Sequence, residues 1–312
     1  MKVKLLGEGG FDRVTHYLQG TLSAPTHWPD WNLVVSRHFN TRFCYLVAEE
    51  NSVLHGICPV HEVRKGLRVT WHSGQFHFIP YGGWITDPGF PHPPAKMKIS
   101  LNGRFECFSI PLEGLSKKPA QGVGGSFSTL VTDLRREEDE IWSSSIDSKR
   151  RNMIRKATRA GITVDSGLRV FWDFFRIYRT AAVNNGLKYL SEEFLQEMLS
   201  LDGNVRFVPY VAYCKGKACS VLGLVHDKDY AIYWLGATDR NSESMGQGEM
   251  LQWEAMRYSR SRGCRYYDLC YIDRHRLPGI YDFKKGFSDS EVTIPYTNRK
   301  GFLYRVINKI QG

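Results

Sequence analysis

No run of about 18 apolar residues occurs anywhere in the chain, so a single hydrophobic helix spanning a bilayer is not expected. The opening residues, MKVKLLGEGGFD, hold two leucines and then glycines where a secretory leader needs a sustained apolar stretch. Neither CxxC nor HExxH is present, and the ten histidines are scattered singly, so no metal site is expected. The seven cysteines are odd in number and irregular in spacing, with Cys214 and Cys219 the closest pair. That pattern fits a reduced thiol population and not a disulfide framework. These absences lead to the expectation of a cytoplasmic protein with no transmembrane segment.

What the chain does contain is ample apolar material: 42% hydrophobic and 13% aromatic over 312 residues, enough for two packed cores. Its formal net charge of +10 points to an anionic partner: nucleic acid, a phosphorylated small molecule or an anionic lipid. The charge is unevenly placed. Six bases and no acid fall between Lys149 and Arg159, and Arg257, Arg260, Arg262, Arg265, Arg274 and Arg276 flank the segment 264–287.

The first third reads as mixed α/β. A strand at residues 3–6 and a helix at 11–18 lead through a loop carrying Trp28 and Trp31 into β-type runs at 43–48, 53–63 and 67–71. Then comes FIPYGGWITDPGFPHPP (78–94), where Gly82 and Gly83 beside Tyr81 allow close backbone approach, either to a ligand or within a tight turn. Strands at 105–110 and 128–134, with a Gly/Lys-rich loop (116–126) between them, close a first domain over residues 1–134.

The second domain, 135–312, begins with one helix over 136–160, acids first and bases last, as the helix dipole favours. A strand (162–165) and a helix (168–183) with Phe171, Phe175 and Tyr178 on one core face follow. A helix (191–199) precedes an antiparallel meander at 205–213, 218–226 and 230–237. The loop Ser244-Met245-Gly246-Gln247-Gly248 then opens a helix that runs to Arg262. The segment CRYYDLCYIDRHRLPGIYDFKKGF (264–287) supplies a short buried strand (266–270), a charged loop with Asp273, Arg274, His275 and Arg276, and then Phe283, Lys284, Lys285, Gly286 and Phe287. A last strand (291–296) completes the domain, and an amphipathic tail (302–310) is expected to pack back on the first domain.

The order β-α-α-β-β-β-loop-α-β-loop-β resembles the GNAT acyltransferase fold. More specifically, SSSIDSKRRNMIRKATRAGITV (143–164), with its R-x-x-I-R-K-A-x-x-x-G run, LQWEAMRYSRSRGCRYYDL (251–269) and GIYDFKKGF (279–287) resemble the Fem (FemABX) family, the aminoacyltransferases that build peptidoglycan cross-bridges. The resemblance implies an α/β (α+β) chain of two GNAT-like domains, each a mixed, largely antiparallel sheet flanked by helices. It implies aminoacyl-tRNA as co-substrate, no tightly bound cofactor, and a phosphorylated or lipid-linked amine as acceptor, with peripheral membrane contact left open. By position it assigns stabilisation of the reacting ester to Lys284 and the shaping of its pocket to Phe283. Two departures stand out: the long helical hairpin of many Fem ligases is absent, and Cys270-Tyr271 stands where the family often has glycines.

An amine attacking an activated acyl carbon needs a positioned leaving group and a stabilised oxyanion. A lysine between two aromatics suits that task, and equally a surface lysine beside a core Phe pair. Arg150, Arg151, Arg155 and Lys156 are candidate phosphate contacts, and Tyr81, Gly82 and Gly83 candidate substrate contacts. A second reading is an acetyl-CoA-dependent N-acetyltransferase, with Gly246, Gln247 and Gly248 at a helix N-terminus holding a pyrophosphate and Arg240 offsetting the unfavourable Glu243. A third is an inert RNA-binding or scaffold protein that kept the fold.

Overall fold

The computed structural model describes residues 2–88, 101, 103–110, 112, 127–271 and 274–301. The proline-rich loop from residue 89 on, the 116–126 loop, Asp273 and the 302–310 tail lie outside the described residues. Two compact units are present, Met1–Phe127 with Val292–Gly312, and Ser128–Glu291.

In the first unit α1 (Phe11–Gly20) and α2 (Pro29–His38) accompany a sheet built from β1 (Lys2–Leu6), β2 (Arg42–Glu50), β3 (Val53–Lys65), β4 (Arg68–Ser73), β5 (Ile85–Thr86) and β6 (Arg104–Phe108). Pairing runs β1-β2-β3-β4-β6, with β5 on β3 and the late strand β14 (Tyr296–Lys300) antiparallel to β6. β4 and β6 are parallel and the other pairs antiparallel. The tryptophan-bearing loop is the start of α2: Pro29 sits in its first turn, where no backbone donor is lost, and Trp31, Val34 and Val35 face the core. Asn32 from this helix donates to the Thr26 and Trp28 carbonyls and accepts from His61 Nε2 at 2.9 Å, which fixes a buried, neutral imidazole.

In the second unit the sheet order is β13-β7-β12-β11-β10-β9-β8. The strands are β7 (Phe127–Asp133), β8 (Thr163–Ser166), β9 (Arg206–Cys214), β10 (Lys217–His226), β11 (Tyr230–Thr238), β12 (Tyr266–Asp268) and β13 (Ser290–Ile294). β7 pairs with β12, so the strand assigned by its sequence to the end of the first domain belongs to the second sheet, and the boundary moves to residue 127. β11 and β12 are parallel, as expected for strands joined through a helix. Phe174 of α5 (Phe171–Asn184) closes over Gly223, where an added Cβ would lie 3.1 Å from the Phe174 ring. The remaining core gathers Leu222, Leu224 and Tyr267 with Leu251, Ala255 and Met256 of α7 (Gln247–Ser261) and Ile154 and Ala157 of α4 (Ser148–Arg159). α6 (Glu192–Leu199) packs on β9, its first turn capped by the Ser191 hydroxyl.

The single helix expected over 136–160 is two pieces. α3 (Glu138–Glu140) runs into a π-helical turn, Ile141–Ser145, and Ile146 is extended. Asp147 then accepts the Arg150 N–H at 2.7 Å and starts α4 afresh. Ser143 and Ser144 return their hydroxyls to carbonyls of residues 139 and 140, the local competition that disfavours serine inside a regular helix. A further helix, α8 (Pro278–Lys285), occupies what reads in sequence as a charged loop and hook.

Candidate active site

β11 carries one residue more than β10 here: Gly223 opposes Leu235, and Leu224 opposes Tyr233. Such a bulge re-aims side chains beside it. Here Tyr233 and Gly236 line a cavity of about 390 Å³ together with Leu222 of β10, Gln247 and Gly248 at the start of α7, and Phe283 of α8.

α8 is a legible helix once its punctuation is noticed: Pro278 in the first turn, Lys284 and Lys285 in the last, where cations face the carbonyl end of the dipole. It ends at Gly286 because nothing larger fits. A Cβ there would meet Asp147 Oδ2 at 2.6 Å and Arg150 Cγ at 2.7 Å. The helix sets Phe283 on the cavity wall and turns Lys284 inward, to 8% exposure. Lys284 Nζ donates to the Cys270 carbonyl at 3.3 Å and lies 5.3 Å from the centroid of the Tyr233 ring. Burial lowers its pKa below that of an ordinary lysine, opposed by the Cys270 and Asp268 side chains. A cation so desolvated interacts strongly with any anion that forms near it.

Beneath the lysine, Asp268 is fully buried at the end of β12. It accepts from the Thr129 hydroxyl, from the Tyr230 hydroxyl at 2.8 Å and from the Cys270 N–H at 2.6 Å. Burial pushes its pKa up to about 6 in spite of these donors. Cys270, at the position where glycine is frequent in the family resembled, adopts φ 63°, the left-handed conformation that glycine reaches without strain.

The stretch from α4 to α8 decides the class, because residues 147–285 match the family described as acetyltransferase (GNAT) domain. This stretch is a GNAT acyltransferase domain. No curated protein matches the sequence. Among solved structures the chain is similar to FemX, at 12% identity and a TM-score of 0.70 over 98% of this chain and 99% of that one. It is similar to the C-terminal domain of a lysylphosphatidylglycerol synthetase from Agrobacterium fabrum, at 12% identity, TM-score 0.59, covering 96% and 95%. A tandem GNAT protein from the clavulanic acid biosynthesis pathway matches at 12% identity, TM-score 0.50, covering 96% and 98%. The protein therefore has a Fem-like fold of two GNAT-like domains.

In the GNAT domain Phe283, Gln247 and Gly248 line one cavity with Tyr233, and Lys284 is buried next to that Tyr233 ring without lining the cavity itself; the other expected contacts lie elsewhere. Gly246 caps α7 at φ 89°, and an added Cβ would lie 2.2 Å from the Met153 carbonyl oxygen, so its glycine serves the packing of α7 on α4. Arg240 bonds Asn185 and lines a separate cavity of about 300 Å³ against α5. Arg150 is not a phosphate contact: it is 7% exposed, paired with Glu249 at 3.0 Å, bonded to the Asp282 carbonyl, and stacked 5.0 Å from the Phe283 ring centre. Arg151 donates to carbonyls of Trp142, Ser143 and Ile146, closing the π-helical turn. Lys156 holds the Ser244 carbonyl at 2.8 Å, and Arg155 lies over Trp142. In the first unit Tyr81, Gly82 and Gly83 are buried, and the room beside the two glycines is filled by Ser73, Gly74 and Ser109. The close approach read from that pair is to the chain itself.

Tyr233, Glu249 as the partner of Arg150, and Asp268 are the residues here to which sequence reasoning assigned no role. Asp268 left a trace, being the one acid inside the apolar run YYDL. Tyr233 left none, since its placement depends on the bulge.

Proposed function

We propose that the protein is a Fem-like N-acyltransferase that moves an aminoacyl group from an aminoacyl-tRNA ester to an amine of a phosphorylated, lipid-linked or muramyl-type envelope precursor. The observation carrying this reading is the buried Lys284 cation beside a cavity walled by Tyr233 and Phe283. In the reaction the acceptor nitrogen attacks the ester carbon and forms the C–N bond. The bond to the ribose oxygen then breaks, and the proton released by the amine ends on that oxygen. Lys284 stabilises the oxyanion between the two events, which removal of a single donor of this kind reduces by roughly a hundred- to a thousandfold in turnover. Similarity in fold to proteins named for lysylphosphatidylglycerol synthesis supports an amino acid as the group carried. Among the described residues no helix is long and apolar enough to cross a membrane, so a lipid-linked acceptor would be met at a surface.

One observation favours a second donor. Gln247 and Gly248, at the N-terminus of the fifteen-residue α7, line the same cavity, an arrangement suited to the pyrophosphate of acetyl-CoA. Against it stand Glu249 in the first turn and Glu243 in the preceding loop. The two donors separate in one experiment. A thermal melt with acetyl-CoA at a hundredfold excess over its dissociation constant shifts stability by about 2.7 kcal/mol if it binds. Transfer of a radiolabelled amino acid from charged tRNA to an amine-bearing muramyl precursor tests the first reading. Transfer there, abolished in Lys284→Ala, supports it. A clear acetyl-CoA shift with no tRNA-dependent transfer refutes it in favour of the acetyltransferase. Binding of tRNA unchanged in Lys284→Ala, with neither transfer, leaves the inert scaffold.

A further inference from the structure

We infer that Asp268 is a positioning residue for Lys284, acting through the backbone of Cys270 and as the lysine's counter-charge. The inference deepens the reading of Lys284 as the reacting cation and rests on it. The geometry forms a chain of contacts. Asp268 Oδ1 takes the Cys270 N–H at 2.6 Å, and this bond spans the turn at the end of β12. Cys270 is held at φ 63°, a strained conformation for a non-glycine residue that persists where its surroundings over-determine it. In that conformation its carbonyl receives Lys284 Nζ at 3.3 Å. Among the described residues that carbonyl is the hydrogen-bond acceptor the ammonium has, so the aim of the lysine depends on a turn that Asp268 holds.

The carboxylate is also placed electrostatically. Among the described residues the titratable groups that act on it are the phenols of Tyr230 and Tyr267 and the Lys284 ammonium, with the Thr129 hydroxyl from β7 and the Cys270 N–H as further donors. Lys284 is the cation of this set, so an ionised Asp268 keeps it charged despite burial. With the carboxyl pKa near 6, the pair is intact at neutral pH and is lost in mild acid.

The test needs no transfer reaction. Full-length protein is labelled with trace acetic anhydride across pH, and Lys284 is quantified by mass spectrometry against the other lysines, whose unchanged labelling reports an intact fold. Asp268→Asn removes the counter-charge, so the apparent pKa of Lys284 falls and its labelling below that pKa rises by about tenfold. Tyr230→Phe keeps the carboxylate but deletes a donor to it, raising the pKa of Asp268. Lys284 labelling then increases at pH 7 and returns to the wild-type level by pH 9. If both variants label Lys284 as the wild type does, Asp268 does not govern it and the inference falls. Loss of transfer in Lys284→Ala is a separate measurement, so failure here and failure of the acyltransfer reading are told apart.

Discussion

Replacing Arg150 by methionine separates the structural account of the α4 bases from the reading their sequence invites. In the fold the Arg150 side chain is 9% exposed and that of its partner Glu249 12%, with the pair at 3.0 Å. Methionine approximates the stem's volume, so the main consequence is a carboxylate left unpaired in a largely dry site. Breaking one side of a buried pair costs about 3–5 kcal/mol. The lost stacking on Phe283 adds about 0.5–1 kcal/mol. A sum of roughly 3.5–6 kcal/mol lowers the melting temperature of a unit of this size by about 7–24 °C. Removing the stranded charge restores part of it, so Arg150→Met with Glu249→Gln is more stable than Arg150→Met alone, and the double-mutant cycle yields a coupling of about 2–3 kcal/mol. Urea titration followed by tryptophan fluorescence reads all four proteins. A cost below about 1 kcal/mol for the single variant, or strict additivity in the cycle, would falsify the welded-pair account. A phosphate-binding arginine predicts the reverse: an unchanged melt and weaker anion binding.

Lys284→Met should lower turnover by at least about a hundredfold, and should also lower stability at neutral pH by stranding the buried Asp268 carboxylate, less so at about pH 5 where that carboxyl is protonated. Reduced stability with unchanged turnover would mean that the lysine is structural. In the first unit, burial lowers the pKa of His27 to about 4 and that of His61 to about 3, against 6.5 unfolded. The unfolded chain therefore binds more protons below pH 6.5, and stability present above that pH is lost on acidification, by about 2 kcal/mol per ring at pH 5. Urea midpoints at pH 7.5 and 5 check this, and equal midpoints would contradict it. Gly246→Ala should destabilise by at least about 1–3 kcal/mol, from the positive φ and the Met153 carbonyl, whereas Gly248→Ala meets Phe283 at 3.8 Å and should change stability by less than about 1 kcal/mol. Paired thermal melts decide it, and equal effects would remove the packing explanation for Gly246.

Much of the second unit was legible because its signals are local. Continuous apolar runs at 206–238, the positive-φ glycines at 216 and 263, and the Phe171, Phe175 and Tyr178 stripe each report a buried strand, turn or buried helix face within a few residues. The helix over 138–159 was misread because acidic and basic ends satisfy the dipole rule for one long helix. The break depends on whether Asp147 turns its side chain to its own backbone, a local choice that composition does not reveal. α8 was readable from Pro278 and the two terminal lysines, yet its charged flanks mimic a loop.

By itself, the sequence determined the class of the GNAT domain and singled out Lys284 as its candidate cation. Motif spacing along one chain is preserved in any fold that uses it, and FKKGF lies in a single segment. The tertiary structure alone decided which bases of α4 are paired inside and which stay exposed. Arg150 and Lys156 belong to one basic helix. The first meets Glu249, 99 residues away, and the second the Ser244 carbonyl, 88 residues away. It likewise decided that Asp268 lies beneath Lys284, because that meeting requires β12 to be paired between β7 and β11 and α8 to fold back over its end. Linear spacing carries neither the partner of a charge nor its distance from water, and those two quantities set whether a lysine is a surface ornament or a reactive cation.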